Sequence, residues 1–280
     1  MTLPQSPDAI VVSDAHKTYG TDQKAVVALG GVDAAIQRGE FVSIIGPSGC
    51  GKSTMLRMIA GLEEVDSGDV SIFGLRTEDA CDAKMIGLVP QVPALLPWLS
   101  VLDNVTLPSK INRGAERRRQ HGIGGVYTRP DPVDIHGLLD RVGLADAAHK
   151  LPAQLSGGMR QRASIVRAFG LQPDVLLMDE PFSALDEFTR EALQGQLLEI
   201  WRDMQTTVVF VTHNVSEAVR LSDRVIVMGA NPGRITAEVE IDLPRPRDEE
   251  LLKSTAFHDY EDHIRHQLQS AWRDNSAAAA

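Results

Sequence analysis

Gly46-Pro47-Ser48-Gly49-Cys50-Gly51-Lys52-Ser53-Thr54 is the stretch that decides the fold of this chain. It fits the pattern G-x-x-x-x-G-K-[ST], in which small residues let successive backbone N–H groups turn inward around phosphate oxygens. Phe41 to Ile45, just before it, is an apolar run ending at glycine and reads as a buried strand. MLRMIAGL, just after it, places Leu56, Ile59 and Ala60 at helical spacing. Strand, glycine-rich loop and helix is the order a phosphate site needs, because the helix N-terminus adds a favourable dipole behind the loop. In such a loop Lys52 reaches the β- and γ-phosphates as a mobile point charge, and the Ser53 hydroxyl ligates the magnesium that neutralises them.

Working outward, Asp8 to Tyr19 and Val32 to Gln37 read as short alternating strands, and Met85 to Val89 as another, with Gln91 opening a proline-rich loop. Between about Ser100 and Leu155 the helical patterns are interrupted by RGAERRRQHGIGGVYTRPDP, a polar stretch that reads as an exposed insertion over 113–132. This region is expected to form a separate helical subdomain. Strands at Val175 to Met178, Val208 to Val211 and Arg224 to Met228 then alternate with helices near Met159 to Phe169, Phe188 to Met204 and Ser216 to Leu221. Such alternation implies a mainly parallel sheet. In the tail, Leu252, Tyr260, Ile264 and Leu268 fit one helical face.

Composition narrows the function classes. A formal net charge of -10 argues against a long basic surface for nucleic acid, leaving room for a local patch. The two cysteines, Cys50 and Cys81, have no metal-ligand spacing and suit a reducing compartment. No basic-then-apolar leader is readable at the N-terminus, and no run of about 18 apolar residues occurs, so the expectation is a cytoplasmic protein that meets a membrane through a partner.

Val175-Leu176-Leu177-Met178-Asp179-Glu180 is an apolar strand ending in two carboxylates, and ligands of open α/β sheets gather at the carboxyl ends of strands. Asp179 can hold magnesium through its water shell and Glu180 can polarise a water for in-line attack on the γ-phosphorus. Read alone, the pair is also a helix cap or a solvated acid pair. Leu155-Ser156-Gly157-Gly158-Met159 opens a helix with a serine and two glycines, either a second anion site or an ordinary N-cap with a flexible loop. His213, after the strand ending at Val211, can donate to a γ-phosphate oxygen or be structural.

Taken together, GPSGCGKST, Gln91, LSGGMRQR, VLLMDE, SALD and His213 resemble, in order and rough spacing, the ATP-binding-cassette (ABC) ATPases over nearly the entire chain. The resemblance implies an α/β P-loop NTPase core with a mainly parallel sheet, an antiparallel β edge region and a helical subdomain at about 92–165. The ATPase domain would span 8–245, with 246–280 as a C-terminal helical extension and tail. It also implies ATP and magnesium as cofactors, and a head-to-tail pair of copies in which Ser156, Gly157 and Gly158 of one close over ATP held by Gly46 to Thr54 of the other. By the same resemblance Gln91 senses magnesium and the attacking water, joining Ser53 and Asp179 around the metal. Glu180, His213 and Lys52 carry the hydrolysis, and Asp186 belongs to the loop that communicates between the sites. Tyr19 resembles the aromatic that stacks on adenine, although a tyrosine at a strand end is also a rim or core residue. Met159 stands where the family commonly has glutamine, a departure at a position the family varies.

Leu95 to Val105 and Asn231 to Ile235 resemble the equivalent stretches of importers of nitrate, sulfonate, taurine and related small solutes, although Trp98 and its leucines are also read as subdomain core. The implied partners are transmembrane permease subunits and, indirectly, a solute-binding protein, with the chain peripheral on the cytoplasmic membrane face. The alternative is a non-transport ABC ATPase acting on a soluble partner. Arg117, Arg118 and Arg119 read as a solvated helix face, and His258, His263 and His266 as an exposed helix in preference to a metal site.

Overall fold

The computed structural model describes residues 8–20, 25–111, 114 and 133–278. Apart from Gly114, the insertion expected over 113–132, with Arg117, Arg118 and Arg119, lies outside them. Ten strands run through the described residues: β1 Asp8–Tyr19, β2 Val26–Gln37, β3 Phe41–Ile45, β4 Ser67–Ile72, β5 Leu75–Arg76, β6 Ile86–Val89, β7 Val175–Asp179, β8 Thr207–Thr212, β9 Arg224–Gly229 and β10 Arg234–Glu240. The chain divides into two units, one built on residues 78–206 and the other on 6–77 and 207–280.

In the second of these, β1, β2, β4 and β5 form an antiparallel sheet in the order β2-β1-β4-β5. Its central strand β1 buries Ile10, Val12 and Ala15 while polar neighbours stay exposed, the pattern of a sheet with one dry face. The strand expected at Val32 to Gln37 begins earlier, at Val26, because Gly30 pairs with His16 and Gly31 is taken up in the register shift before Val32 pairs with Ala15. The same unit holds β3 between β8 and β9, parallel to both, with β10 antiparallel to β9 at the edge. Val42, Ile44, Val208, Val209, Val225 and Ile226 are 0% exposed, which is why these strands read as unbroken apolar runs with no alternation.

The tail folds onto this unit, and here one expectation is corrected. Leu252 does not share a helix with Tyr260, Ile264 and Leu268: a short helix Glu249–Leu252 ends, and a second runs Thr255–Ala278. Ser254 makes the break, its hydroxyl donating to the Leu251 carbonyl and accepting from the Phe257 N–H, so it caps the second helix. All four residues still pack on one cluster, with Val225, Val227, Val239, Ile241, Phe257 and Ile264 at its centre. Ile264→Val removes one methylene from a side chain that is 0% exposed and is expected to cost about 1 kcal/mol. Thermal unfolding checks this; an unchanged midpoint would mean the helix is not docked in solution.

The other unit pairs β6 with β7 in parallel. Its helical part packs Gly157–Phe169 against Val101–Ile111 and Ile135–Arg141, burying Val101, Val105, Leu138, Leu139, Val166 and Phe169. Among the described residues, no helix is long and apolar enough to cross a membrane.

Candidate functional site

Every residue of β3 is buried, so the chain leaves the sheet at Gly46 from a fixed point. The following helix, Lys52–Ile59, starts on Gly51 at φ +92°, with no side-chain cap on its first N–H groups. Only glycine serves at 51: the φ is left-handed, and a Cβ would lie 2.7 Å from the Ala28 carbonyl oxygen. Gly233 meets the same crowding from another side, since its Cβ would lie 2.3 Å from Ala28 O and 2.4 Å from Cys50 O. The loop therefore rests backbone to backbone on β2 and on the turn 231–235, a stretch the sequence singled out for a different reason.

Lys52 is 7% exposed and curls back into the loop, donating from Nζ to the carbonyls of Gly46 (2.7 Å) and Pro47 (3.0 Å). Its ammonium is 3.8 Å from Cys50 Sγ, yet burial still pushes the Cys50 thiol upward, so this side chain acts as a small apolar filler. Pro47, Ser53 and Thr54 are partly buried, Ser48 and Gly49 are exposed, and a Cβ on Gly49 would meet nothing within 4 Å. An uncapped helix start, an inward ammonium and an open glycine crown fit a polyphosphate, and no acid stands in the stretch 46–54 to repel one.

His213 reaches the same end of the same unit through register. β3 and β8 run parallel with Ile45 opposite Thr212, so Gly46 and His213 are the next residues on neighbouring strands. The turn carrying His213 is built by Thr212, whose hydroxyl donates to Glu217 Oε2 (2.6 Å) and accepts from the Asn214 N–H (3.0 Å). Asn214 in turn caps the helix Val215–Leu221 by accepting from the Glu217 N–H. Thr212 and Glu217 are buried while His213 is exposed, so a rigid support presents a reachable imidazole. Tyr19 closes β1 at 37% exposure, with Lys17 Nζ 5.7 Å from its ring centroid.

In the other unit, Val89 pairs with Met178, which brings Gln91 to the end of the sheet where Asp179 and Glu180 emerge. Gln91 Nε2 donates to Glu180 Oε2 at 3.2 Å. Glu180 has φ +45°, an uncommon conformation for a non-glycine residue, and Ser183 holds it by donating to its carbonyl from both N (3.2 Å) and Oγ (2.9 Å). The helix-cap alternative for the acid pair does not hold: the next helix, Glu187–Met204, is capped by Asp186, whose carboxylate accepts from the Thr189 N–H. That bond holds the Asp186 carboxyl below the usual range.

Ser156 does cap a helix, Gly157–Phe169, accepting from the Met159 N–H at 3.2 Å. A capping hydroxyl keeps its proton to donate, so capping and anion binding are compatible here. A Cβ on Gly157 would meet nothing within 4 Å, whereas one on Gly158 would be 3.1 Å from Leu185, beside Asp186. Trp98, read as possible core, is 70% exposed. Sequence reading gave no role to Asn104, whose side chain is 0% exposed and ties down residues 96–100. Among the described residues, no group of three or more His, Cys, Asp or Glu is placed to hold a metal, and His258 pairs with Glu261 at 3.0 Å.

Residues 29–183 match the family profile described as ABC transporter. The aliphatic sulfonates import ATP-binding protein SsuB 2 of Burkholderia cenocepacia is 42% identical over 243 residues, covering 87% of this chain and 82% of that one. The nitrate import ATP-binding protein NrtD of Synechococcus elongatus is 42% identical, covering 84% and 82%. Among solved structures, the dimeric ATP-binding cassette MJ0796 in a post-hydrolysis state bound to ADP and Pi is similar at TM-score 0.69 and 34% identity, over 84% of this chain and all of that one. The chain belongs to the ABC transporter family, as one of its ATP-binding, ATP-hydrolysing cassettes.

Proposed function

We propose that the chain is the ATPase subunit of an importer for a small anion, working on the cytoplasmic membrane face as two copies that close over two ATP molecules. The observation that carries this reading is the loop 46–54, seated on backbone and offering an uncapped helix start with Lys52 turned inward. The relatives named for aliphatic sulfonates import and nitrate import support the solute class, and the dimeric cassettes support the pairing.

Within one copy, Gly46, Pro47, Ser48, Gly49, Cys50, Gly51, Lys52, Ser53 and Thr54 hold the phosphates, and Tyr19 offers its ring to adenine. Lys52 exchanges its loop carbonyls for β- and γ-oxygens, a favourable trade of neutral for charged acceptors. Ser53, Gln91 and Asp179 carry oxygen donors of the kind that would hold a magnesium ion, and the ion would supply neutralisation of phosphate charge. Glu180 orients the attacking water and Gln91 keeps its carboxylate aimed. His213 donates to the γ-phosphate as negative charge develops there. Ser156, Gly157 and Gly158 face the γ-phosphate of the other copy, with Asp186 near the junction. Permease subunits receive the closing motion, and a solute-binding protein delivers the anion to them.

Uptake of labelled sulfonate, taurine, nitrate and bicarbonate in cells lacking this chain tests the reading. One of these uptakes is expected to fall to background, to return with the unaltered chain and to stay absent with Lys52→Ala. Unchanged uptake of all four would end the small-anion assignment.

A further inference from the structure

Arg247 is 3% exposed, and among the described residues its hydrogen bonds all run to backbone carbonyls. Nη1 donates to Val219 (2.6 Å), Ser222 (2.6 Å) and, at longer range, Arg220 (3.3 Å). Nη2 donates to Ile241 (3.1 Å) and Leu243 (3.2 Å). Arg245 adds a bond to the Leu221 carbonyl (2.6 Å) and an ion pair with Asp223 (2.7 Å). Together the two guanidiniums satisfy four successive carbonyls, 219 to 222, at the end of the helix Val215–Leu221. Those carbonyls have no intrahelical donor, and a buried cation there also meets the negative end of the helix dipole.

This helix is the one whose other end carries the candidate site. Its N-cap, Asn214, follows His213 directly, and its residue Glu217 holds Thr212 in the turn that aims the imidazole. Seven residues make a rod about 10 Å long, so a shift at one end is carried to the other. Ser222, at the Arg247 end, also shares a buried hydroxyl contact with Ser43 of β3, the strand that feeds the phosphate loop. Burial, helped by the neighbouring Arg245, lowers the Arg247 guanidinium to about 10, which leaves it charged at neutral pH. A buried cation that only anchored the chain end would need the carbonyls of 241 and 243; of its five acceptors, two instead belong to the helix behind His213 and a third to that helix's C-cap, Ser222.

We propose that Arg247 is a positioning residue for ATP hydrolysis, clamping the C-terminal end of the helix Val215–Leu221 so that the turn at its start keeps His213 in register with the γ-phosphate. The proposal rests on the reading of His213 given above. It makes the segment 241–247 part of the catalytic support, and it explains why two arginines of Leu243-Pro244-Arg245-Pro246-Arg247 converge on one helix end.

The test uses the full chain and two measurements, backbone amide exchange over 213–221 and steady-state ATP hydrolysis, in Arg247→Met, Arg247→Lys, His213→Ala and Leu268→Ala. Leu268 packs on the cluster that also holds Ala218 and Val219 of the helix, but its apolar side chain cannot bond to the carbonyls 219 to 222, so it separates loss of packing from loss of the clamp. Arg247→Met is expected to speed exchange over 213–221 and to lower kcat about tenfold with KM for ATP held within about twofold. Arg247→Lys, with fewer donors, should fall between it and the unaltered chain, and it carries the comparison if the methionine variant does not fold. Leu268→Ala should change both readouts less than Arg247→Met does. Unaltered exchange in Arg247→Lys, or an equal kcat loss in Leu268→Ala, overturns the clamp. Faster exchange with normal kcat, while His213→Ala is inactive, overturns the coupling. Normal hydrolysis by His213→Ala removes the reading beneath it, an outcome separable from the others because exchange reports the clamp by itself.

Discussion

Glu180→Gln is expected to bind ATP as the unaltered chain does and to lose about a thousandfold in turnover, the scale set by removing a positioned general base. In barrier terms that is about 4 kcal/mol. The amide keeps the size of the carboxylate and can still meet Gln91 Nε2 through its carbonyl oxygen, so the local geometry at 3.2 Å survives. It gives up the negative charge that draws a proton from water as the γ-phosphoryl group is attacked. Because binding is spared and hydrolysis is not, the substituted chain should also accumulate as an ATP-held pair of copies. Nucleotide titration, single-turnover hydrolysis and sedimentation with ATP read these three consequences separately. Hydrolysis near the unaltered rate would remove the role assigned to Glu180, and loss of ATP binding would show that its left-handed backbone, φ +45°, does not tolerate the change.

The parts of the fold that could be read from sequence are those where one residue type repeats for a physical reason. β3, β7, β8 and β9 were legible to within one or two residues because strands covered on both faces must be apolar throughout. β4 was not, since Ser67-Gly68-Asp69 are exposed and only Val70 and Ile72 are buried, too short an alternation to register. β10 carries charges at Arg234, Glu238 and Glu240 and makes an edge, where pairing comes from backbone that no side-chain pattern reports. Likewise the motifs stand out in the sequence, but the side chains that brace them do not. Arg247 acts on carbonyls, and carbonyls are the same in every sequence; Thr212 and Glu217 look like an ordinary strand end and helix turn until their side chains are seen to meet at 2.6 Å.

Asn104 shows the same blindness and supplies the second large effect, on stability. Its side chain accepts from the Leu96 N–H (2.7 Å) and donates to the carbonyls of Leu96, Leu99 and Ser100, at 3.0 to 3.1 Å. Leu96 O keeps a backbone donor in the Leu99 N–H, and Ser100 O keeps the Asn104 N–H. Asn104→Leu, close in volume, therefore strands two groups, the Leu96 N–H and the Leu99 carbonyl, and is expected to cost about 3 kcal/mol. Asn104→Asp separates hydrogen bonding from packing. Its carboxylate still accepts from Leu96 but faces three carbonyl oxygens, which raise its pKa in the folded state. A group raised in this way contributes stability below its unfolded pKa and loses it as pH rises through the folded value. Asn104→Asp should accordingly gain on Asn104→Leu in acid and fall behind it at neutral pH, a crossing that chemical unfolding across pH would reveal. Parallel curves for the two variants would mean that Asn104 fills space and does not organise the loop between Gln91 and the helix Val101–Ile111. With the crossing observed, the exposed Trp98 in that loop is held in place from inside, by one buried amide.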